Sequence, residues 1–295
     1  MEAPPSRLTT RAGLAALAAV SLLALVETAT AIVAPHRAPT DADWRAAAQE
    51  IRSGFRAGDL IVAAPAWADS ILRVHLGDLI PVEVAGRLDD ERFARVWEVS
   101  QRGARAEATR RGAVTEERRF GALTVRRVER PAAPVSYDFV ARWTDARVSR
   151  RGAGGGVVDC QFAGDRIQCP DITFNFVRRQ IVEVDTRLRL ALLAQPVGQA
   201  TVVIAYPAAR LGRSLVVATG LHNVWMRKEA AGKVDLRVVV DGVADTTFTT
   251  GNDDGWALHR IDTSARAGQV AAVRFEITSP APYARHFALA AEARE

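Results

Sequence analysis

The stretch Asp159–Asp171, DCQFAGDRIQCPD, holds the only two cysteines of a 295-residue chain. Between them, Gly164-Asp165 reads as a two-residue hairpin turn. Counting outward from that turn sets Ala163 opposite Arg166, Phe162 opposite Ile167, Gln161 opposite Gln168 and Cys160 opposite Cys169. The cysteines then occupy a non-hydrogen-bonded rung, where Cα atoms approach to about 4.5 Å. That lies at the short end of the range a disulfide spans. Side chains alternate across a strand, so Cys160, Phe162, Ile167 and Cys169 share one face, expected to be buried, with Gln161 and Gln168 on the wet one. The reading is a disulfide-bonded hairpin that opens a β-rich domain in an oxidising compartment. A metal pair and free buried thiols are the alternatives, and no further Cys or His lies nearby to complete a metal site.

From this hairpin to the C-terminus helix signals nearly vanish. Strand candidates follow one another at 157–162, 166–169, 180–185, 188–194, 200–206, 214–221, 234–240, 243–249, 256–262, 270–278 and 286–293. RVVVDGVADTTF carries an Asp-Gly hairpin signature at Asp241-Gly242. Many short strands with regular turns predict an antiparallel β-sandwich of jelly-roll type over 157–295. Upstream, PAAP (131–134) and RGAGGG (151–156) mark 131–156 as a linker.

Residues 40–130 read differently. TDADWRAAAQEIRSGF opens with the capping residues Thr40 and Asp41, and Trp44, Ala47, Ala48, Ile51 and Phe55 recur at helical spacing. Strand AGDLIVAAP, helix AWADSILRVHLG, strand ARVWEVSQ, helix ARAEATRRGA and a closing hairpin about Phe120-Gly121 follow. Alternating strands and helices predict a small α/β domain with a mainly parallel, Rossmann-like sheet.

At the N-terminus, Arg7 and Arg11 precede an uncharged run from Ala12 to Val26. Residues 1–34 read either as a signal peptide with a small-x-small site at Ala29-Thr30-Ala31 or as a single membrane anchor over Ala12–Ala34. The anchor is preferred. In both readings the basic flank stays in the cytoplasm and the chain from Pro35 onward lies outside the bacterial inner membrane, in the periplasm. The net charge of +5 comes almost wholly from arginine, since only Lys228 and Lys233 are lysines. With so much Ala and Gly, this suggests GC-rich bacterial coding. Basic and acidic residues are interspersed, which argues against a nucleic-acid interface.

The chain has no GxGxxG after its first strand, no GxxxxGK[ST] and no GxSxG elbow. Ser70 and His75, five apart, fall on different helix faces. Asp59 reads as a cap on the turn after Gly58, and His75 as a surface or interface residue. No catalytic residue, metal site or cofactor is assigned. The candidate ligand-binding residues are His222, Asn223 and Trp225 in TGLHNVWMRK, and Asp254 and Trp256 in TGNDDGWALHRIDTS. Aromatic and amide groups in loops can stack on a sugar and hydrogen-bond its hydroxyls. The plainer readings are a loop anchor for His222–Trp225, an ordinary turn for the acidic run, and a core position for Trp256.

The pieces DWRAAAQEIRSGFRAGDLIV, RVWEVSQRG and ERRFGALTVRRVER, following a hydrophobic segment, resemble the soluble extracytoplasmic tail of polytopic GT-C glycosyltransferases, the family that includes bacterial relatives of protein O-mannosyltransferases. VDLRVVVDG…GWALHRIDTSARAGQVAAVRFEI resembles the jelly-roll, carbohydrate-binding-like modules of cell-surface proteins. The first resemblance implies polyprenyl-linked sugar chemistry, but the family's catalytic acid sits in a loop between membrane helices, and this chain has no such loop. The resemblances together imply a membrane-anchored glycan- or glycolipid-binding protein, or an accessory to a polytopic membrane glycosyltransferase. A subunit of a split glycosyltransferase and a structural envelope protein are the alternatives.

Overall fold

The computed structural model describes residues 7–36, 38–81, 89–170, 172–198, 200–222, 232–281 and 285–295. The first helix, α1 (Arg7–His36), contains a 21-residue apolar segment, Gly13–Val33, with none of it buried against the rest of the protein. At ~1.5 Å per residue this segment is about 30 Å long, the thickness of a bilayer core.

Helix α2 (Asp41–Gly54) starts at a capping box, with Asp43 N–H donating to Thr40 Oγ1 and Thr40 N–H donating to the Asp43 carboxylate. These bonds occupy donors that a helix start otherwise leaves unpaired. Its buried residues Trp44, Ala47, Ala48 and Ile51 form one face. Together with Leu72 and Leu76 of α3 (Asp69–Leu76), that face packs on Ile61, Ala63, Trp97, Val99, Leu123 and Val125 of a four-stranded sheet. The sheet runs β1 (Leu60–Ala64), β2 (Arg95–Gln101), β4 (Leu123–Glu129), β3 (Ala113–Phe120).

The α/β unit departs from the Rossmann-like expectation. Only β1 and β2 pair in parallel; β2–β4 and β3–β4 are antiparallel. A further parallel strand would need a long crossover, usually a helix. The predicted third helix, ARAEATRRGA, contains instead one 3₁₀ turn, Glu107–Thr109. Fully buried Glu98 accepts from the Ala106 N–H at 2.7 Å and from the Thr109 hydroxyl, which ties this single turn to β2, and the β3 pairing takes the chain from Ala113. The chain then returns as the β3–β4 hairpin, as expected about Phe120-Gly121.

The remainder is a sandwich of two antiparallel sheets. Its last eight strands are β11 (Arg187–Ala194), β12 (Thr201–Arg210), β13 (Ser214–Leu221), β14 (Val234–Val240), β15 (Ala244–Thr250), β16 (Ala257–Asp262), β17 (Val270–Thr278) and β18 (Phe287–Arg294). They order as β16-β13-β18-β11 in one sheet and β15-β14-β17-β12 in the other, the strand order of a jelly roll. Tyr206, Phe275, Ile204 and Val238 of one sheet and Leu215, Val217, Phe287 and Leu289 of the other fill a single core. Phe139 joins them, stacked edge-on against Tyr206 and Phe275, and its carbonyl accepts from the Tyr206 hydroxyl at 2.7 Å. Burial pushes the Tyr206 phenol far above its usual range, so it stays a donor.

The segment read as a linker contributes two strands to this sandwich. β5 (Val135–Asp138) pairs with β18, and β6 (Arg147–Arg151) pairs with β12. The sandwich therefore begins at residue 135. Both strands are short and polar, and they depend on partners far along the chain.

The cysteine hairpin has the expected register: Gln161 faces Gln168, Phe162 faces Ile167 and Ala163 faces Arg166. Gly164 alone of the turn pair has a positive φ, +68°, the type II′ arrangement. Cys160 and Cys169 are bonded, with Cα atoms 4.1 Å apart. One expectation is corrected. Ile167 is buried, but Phe162 is 53% exposed, because its strand β8 (Gln161–Ala163) is the sheet edge and extends past the core. Phe162 covers Trp143 instead, ring centroids 5.3 Å apart.

The disulfide has a role that the hairpin alone does not reveal. β7 (Val157–Asp159) pairs with β6 in the six-stranded sheet, whereas β8 pairs with β9 (Arg166–Gln168) in the eight-stranded one. Cys160 is the residue at which the chain changes sheets, and its N–H donates to Val148 O of β6 at 2.9 Å. The bond thus closes one open edge of the sandwich. Replacing both cysteines by alanine is expected to lower stability by about 2–3 kcal/mol in urea unfolding, from the closed-loop entropy.

Candidate functional site

At one end of the sandwich the β10–β11 turn is held from two sides. β10 (Phe176–Val184) and β11 meet at Asp185-Thr186, both at positive φ. His222, just past β13, bonds through Nδ1 to Glu183 O at 2.8 Å. The indole N–H of Trp256, just before β16, donates to Arg187 O at 3.0 Å. The His286 ring stacks on His222, centroids 6.2 Å apart and 19° from parallel, and the His222 N–H donates to His286 O.

Two glycines make this crowding possible. A Cβ on Gly220 would meet the Trp256 ring at 3.3 Å, and one on Gly255 would meet Asp185 Oδ2 at 2.6 Å. Gly255 is at φ +63°, a conformation that costs an L side chain energy.

The acidic loop completes the rim. Asp254 accepts from Gly251 N–H at 2.6 Å, and Asn252 accepts from Arg285 at 2.6 Å. Asp253 and Asp254 are exposed. Of the sequence candidates, the structure brings His222, Asp254 and Trp256 to this one end. Asn223 and Trp225 lie outside the described residues. Trp256 is half-buried against the core, as its plainer reading had it, with its N–H at the turn. Sequence inspection gave His286 and Arg285 no role at this end. They reach it only through the course of the chain before β18.

Burial, the neighbouring His222 and Arg285 hold His286 below the usual imidazole pKa. His259, stacked on Phe248 and bonded to Thr219, is lowered by burial. A lowered folded-state pKa favours the neutral ring. The stability it contributes is present above the unfolded value and is lost as pH falls through and below it. The melting temperature should therefore drop between pH about 7.5 and about 5.5, and His286→Gln should shrink that drop.

A concavity of about 520 Å³ lies at the C-terminal end of β1, lined by Val62–Ala66, Asp89, Asp90 and residues 104–108. Its charged groups are already committed: Asp89 binds Arg294, Arg105 binds Glu98 and Asp90 binds Arg130. The two sequence candidates of this unit are structural as well. Asp59 accepts from Arg95, the Trp97 indole and Arg56 N–H. Burial raises its pKa, and these donors outweigh that to leave it lowered. His75 is tucked against Trp44 and Asp41.

No family model matches the chain, and no curated protein matches it. Among solved structures it is similar to the glycoside hydrolase domain of Endo-D from Streptococcus pneumoniae, with 18% identity, TM-score 0.27, and 40% of this chain and 20% of that one covered. It is similar to TmCBM61 in complex with beta-1,4-galactotriose, with 15% identity, TM-score 0.23, and 36% of this chain and 70% of that one covered. It is also similar to the family 11 carbohydrate-binding module from Clostridium thermocellum in complex with a mixed-linked tetrasaccharide, with 11% identity, TM-score 0.24, and 40% of this chain and 82% of that one covered.

Proposed function

We propose that the chain is a membrane-anchored, extracytoplasmic glycan-binding protein of the bacterial inner membrane, and that the His222–Trp256 end of its sandwich takes the sugar. The observation that carries this reading is the convergence of two stacked imidazoles, an indole edge and two exposed carboxylates on one loop-lined end. Flat rings suit the C–H faces of a pyranose, and carboxylates and ring nitrogens suit its hydroxyls. The anchor and the disulfide support the extracytoplasmic address. No catalytic step is assigned to these residues.

Titration calorimetry of the purified protein against a panel of polysaccharides and glycolipids tests this. His222→Ala and Asp254→Ala should each weaken binding about tenfold, the equivalent of one good contact, with circular dichroism showing the jelly roll still folded. An unresponsive panel, or affinities indifferent to both substitutions, would sink the glycan reading. A second reading has the chain assist a polytopic glycosyltransferase acting on polyprenyl-linked sugars. It is favoured by the α/β unit lying directly after α1. Recovery of such an enzyme on gentle membrane co-purification would support that reading.

A further inference from the structure

Among the described residues outside α1, one helix carries a continuous exposed apolar stripe. Trp67, Ile71 and Val74 are 62%, 40% and 79% exposed. They stand at i, i+4 and i+7, which places them on one side of α3 and the turn that leads into it. Ala66 and Ser70 share that exposed side, so the stripe holds no charge from 66 to 74 apart from the flanking pair Asp69–Arg73, bonded to each other at 2.6 Å. Just beyond the stripe, Asp78 is gripped by Arg52 at 2.6 and 2.7 Å. The opposite side of α3, Leu72 and Leu76, is buried on the sheet, so folding of this unit leaves the stripe uncovered.

The position of α3 says what covers it. His75 lies 3.5 Å from Asp41 and stacks on Trp44, so the Val74 end of the stripe abuts the first turn of α2. Asp41 follows His36, the last residue of α1, after only four connecting residues. That connection spans at most about 19 Å from Cα to Cα. The stripe itself, at ~1.5 Å per residue, is about 10 Å long. An apolar, charge-free ridge ending in tryptophan is therefore tethered within reach of the point where α1 leaves the bilayer. Tryptophan favours that water–lipid boundary, with its ring among the headgroups.

We infer that Trp67, Ile71 and Val74 dock on the outer surface of the same membrane that α1 spans. Two contacts, one spanning and one interfacial, fix the tilt of the ectodomain on the membrane. The inference rests on the anchor reading of α1 and is independent of glycan binding.

The test uses the full chain in lipid nanodiscs, with acyl chains brominated near the headgroup as the quencher. The difference in emission between wild type and Trp67→Phe isolates Trp67. Brominated lipid should remove most of that difference emission, and Ile71→Asp with Val74→Asp should restore it while circular dichroism stays native. Undiminished Trp67 emission in a chain that resists carbonate extraction overturns the docking and leaves the anchor standing. Release of the full chain by carbonate overturns both. Disulfide-linked dimers of a Val74→Cys variant at nanodisc occupancy above one would assign the stripe to a second copy and likewise overturn it.

Discussion

Replacing Arg294 by leucine should destabilise the protein by about 3–5 kcal/mol, the usual cost of stranding buried charges. Its guanidinium is 2% exposed and binds Asp89 at 2.7 Å and Glu292 at 2.7 Å. Glu292 in turn accepts from Arg92, and Glu91 from Arg260. These bonds join residues 89–92, which lead into β2 of the α/β unit, to β16 and β18 of the sandwich. Burial pushes the Asp89 carboxyl up, but the bonds and charge of Arg294 more than offset this and leave it below its ordinary value. Burial lowers the Arg294 pKa, and Asp89 and Glu292 more than restore it. Because the folded pKa of Asp89 is depressed, its stabilisation is present above the unfolded value and is lost as pH falls through the folded one. The leucine variant should lose this acid sensitivity along with its stability, as read by urea titration at neutral and acid pH. It should also split one unfolding transition into two, since the clamp couples the units. An unchanged single transition would show that the clamp is dispensable.

Glu98→Ala should cost a comparable amount, again about 3–5 kcal/mol, from within the α/β unit. The carboxylate is fully buried, accepts from Ala106 N–H, the Thr109 hydroxyl and Arg126 at 2.8 Å, and forms an ion pair with Arg105 at 3.2 Å. Removing it leaves two arginines and two uncharged donors facing an apolar gap. The loss should be local in its first consequence. Amide hydrogen exchange across residues 104–109, one wall of the 520 Å³ concavity, should accelerate well before global unfolding. Glu98→Gln should recover part of the loss, because its carbonyl can keep one pair of donors. If the exchange rate of 104–109 is unmoved by either change, Glu98 does not hold that wall.

Local chemistry was legible in the sequence. The strand readings at β13, β14 and β17 hold to the residue: β14 and β17 carry the period of two that a half-buried antiparallel strand imprints, and β13 is an apolar run buried on both faces. The cysteine register followed from counting outward from Gly164-Asp165, since a two-residue turn leaves no freedom in pairing. The apolar length of α1 needed no partner to be recognised. Its helical form satisfies its own backbone.

What the sequence left undetermined depends on contacts between residues far apart in the chain. The third helix is cut to one turn because Glu98 ties Ala106 and Thr109, either side of that turn, to β2, and the β3 pairing takes the chain from Ala113. The linker became β5 and β6 because β18 and β12 present open edges to it. Phe162 turned outward because its strand ends the sheet. His286 reached His222, 64 positions earlier in the chain, through the jelly-roll crossing. Periodicity reports whether a residue has an inside and an outside. Which partner lies there, and whether a polar group meets a donor, is decided only when the strands are ordered, and no single stretch of sequence encodes that order.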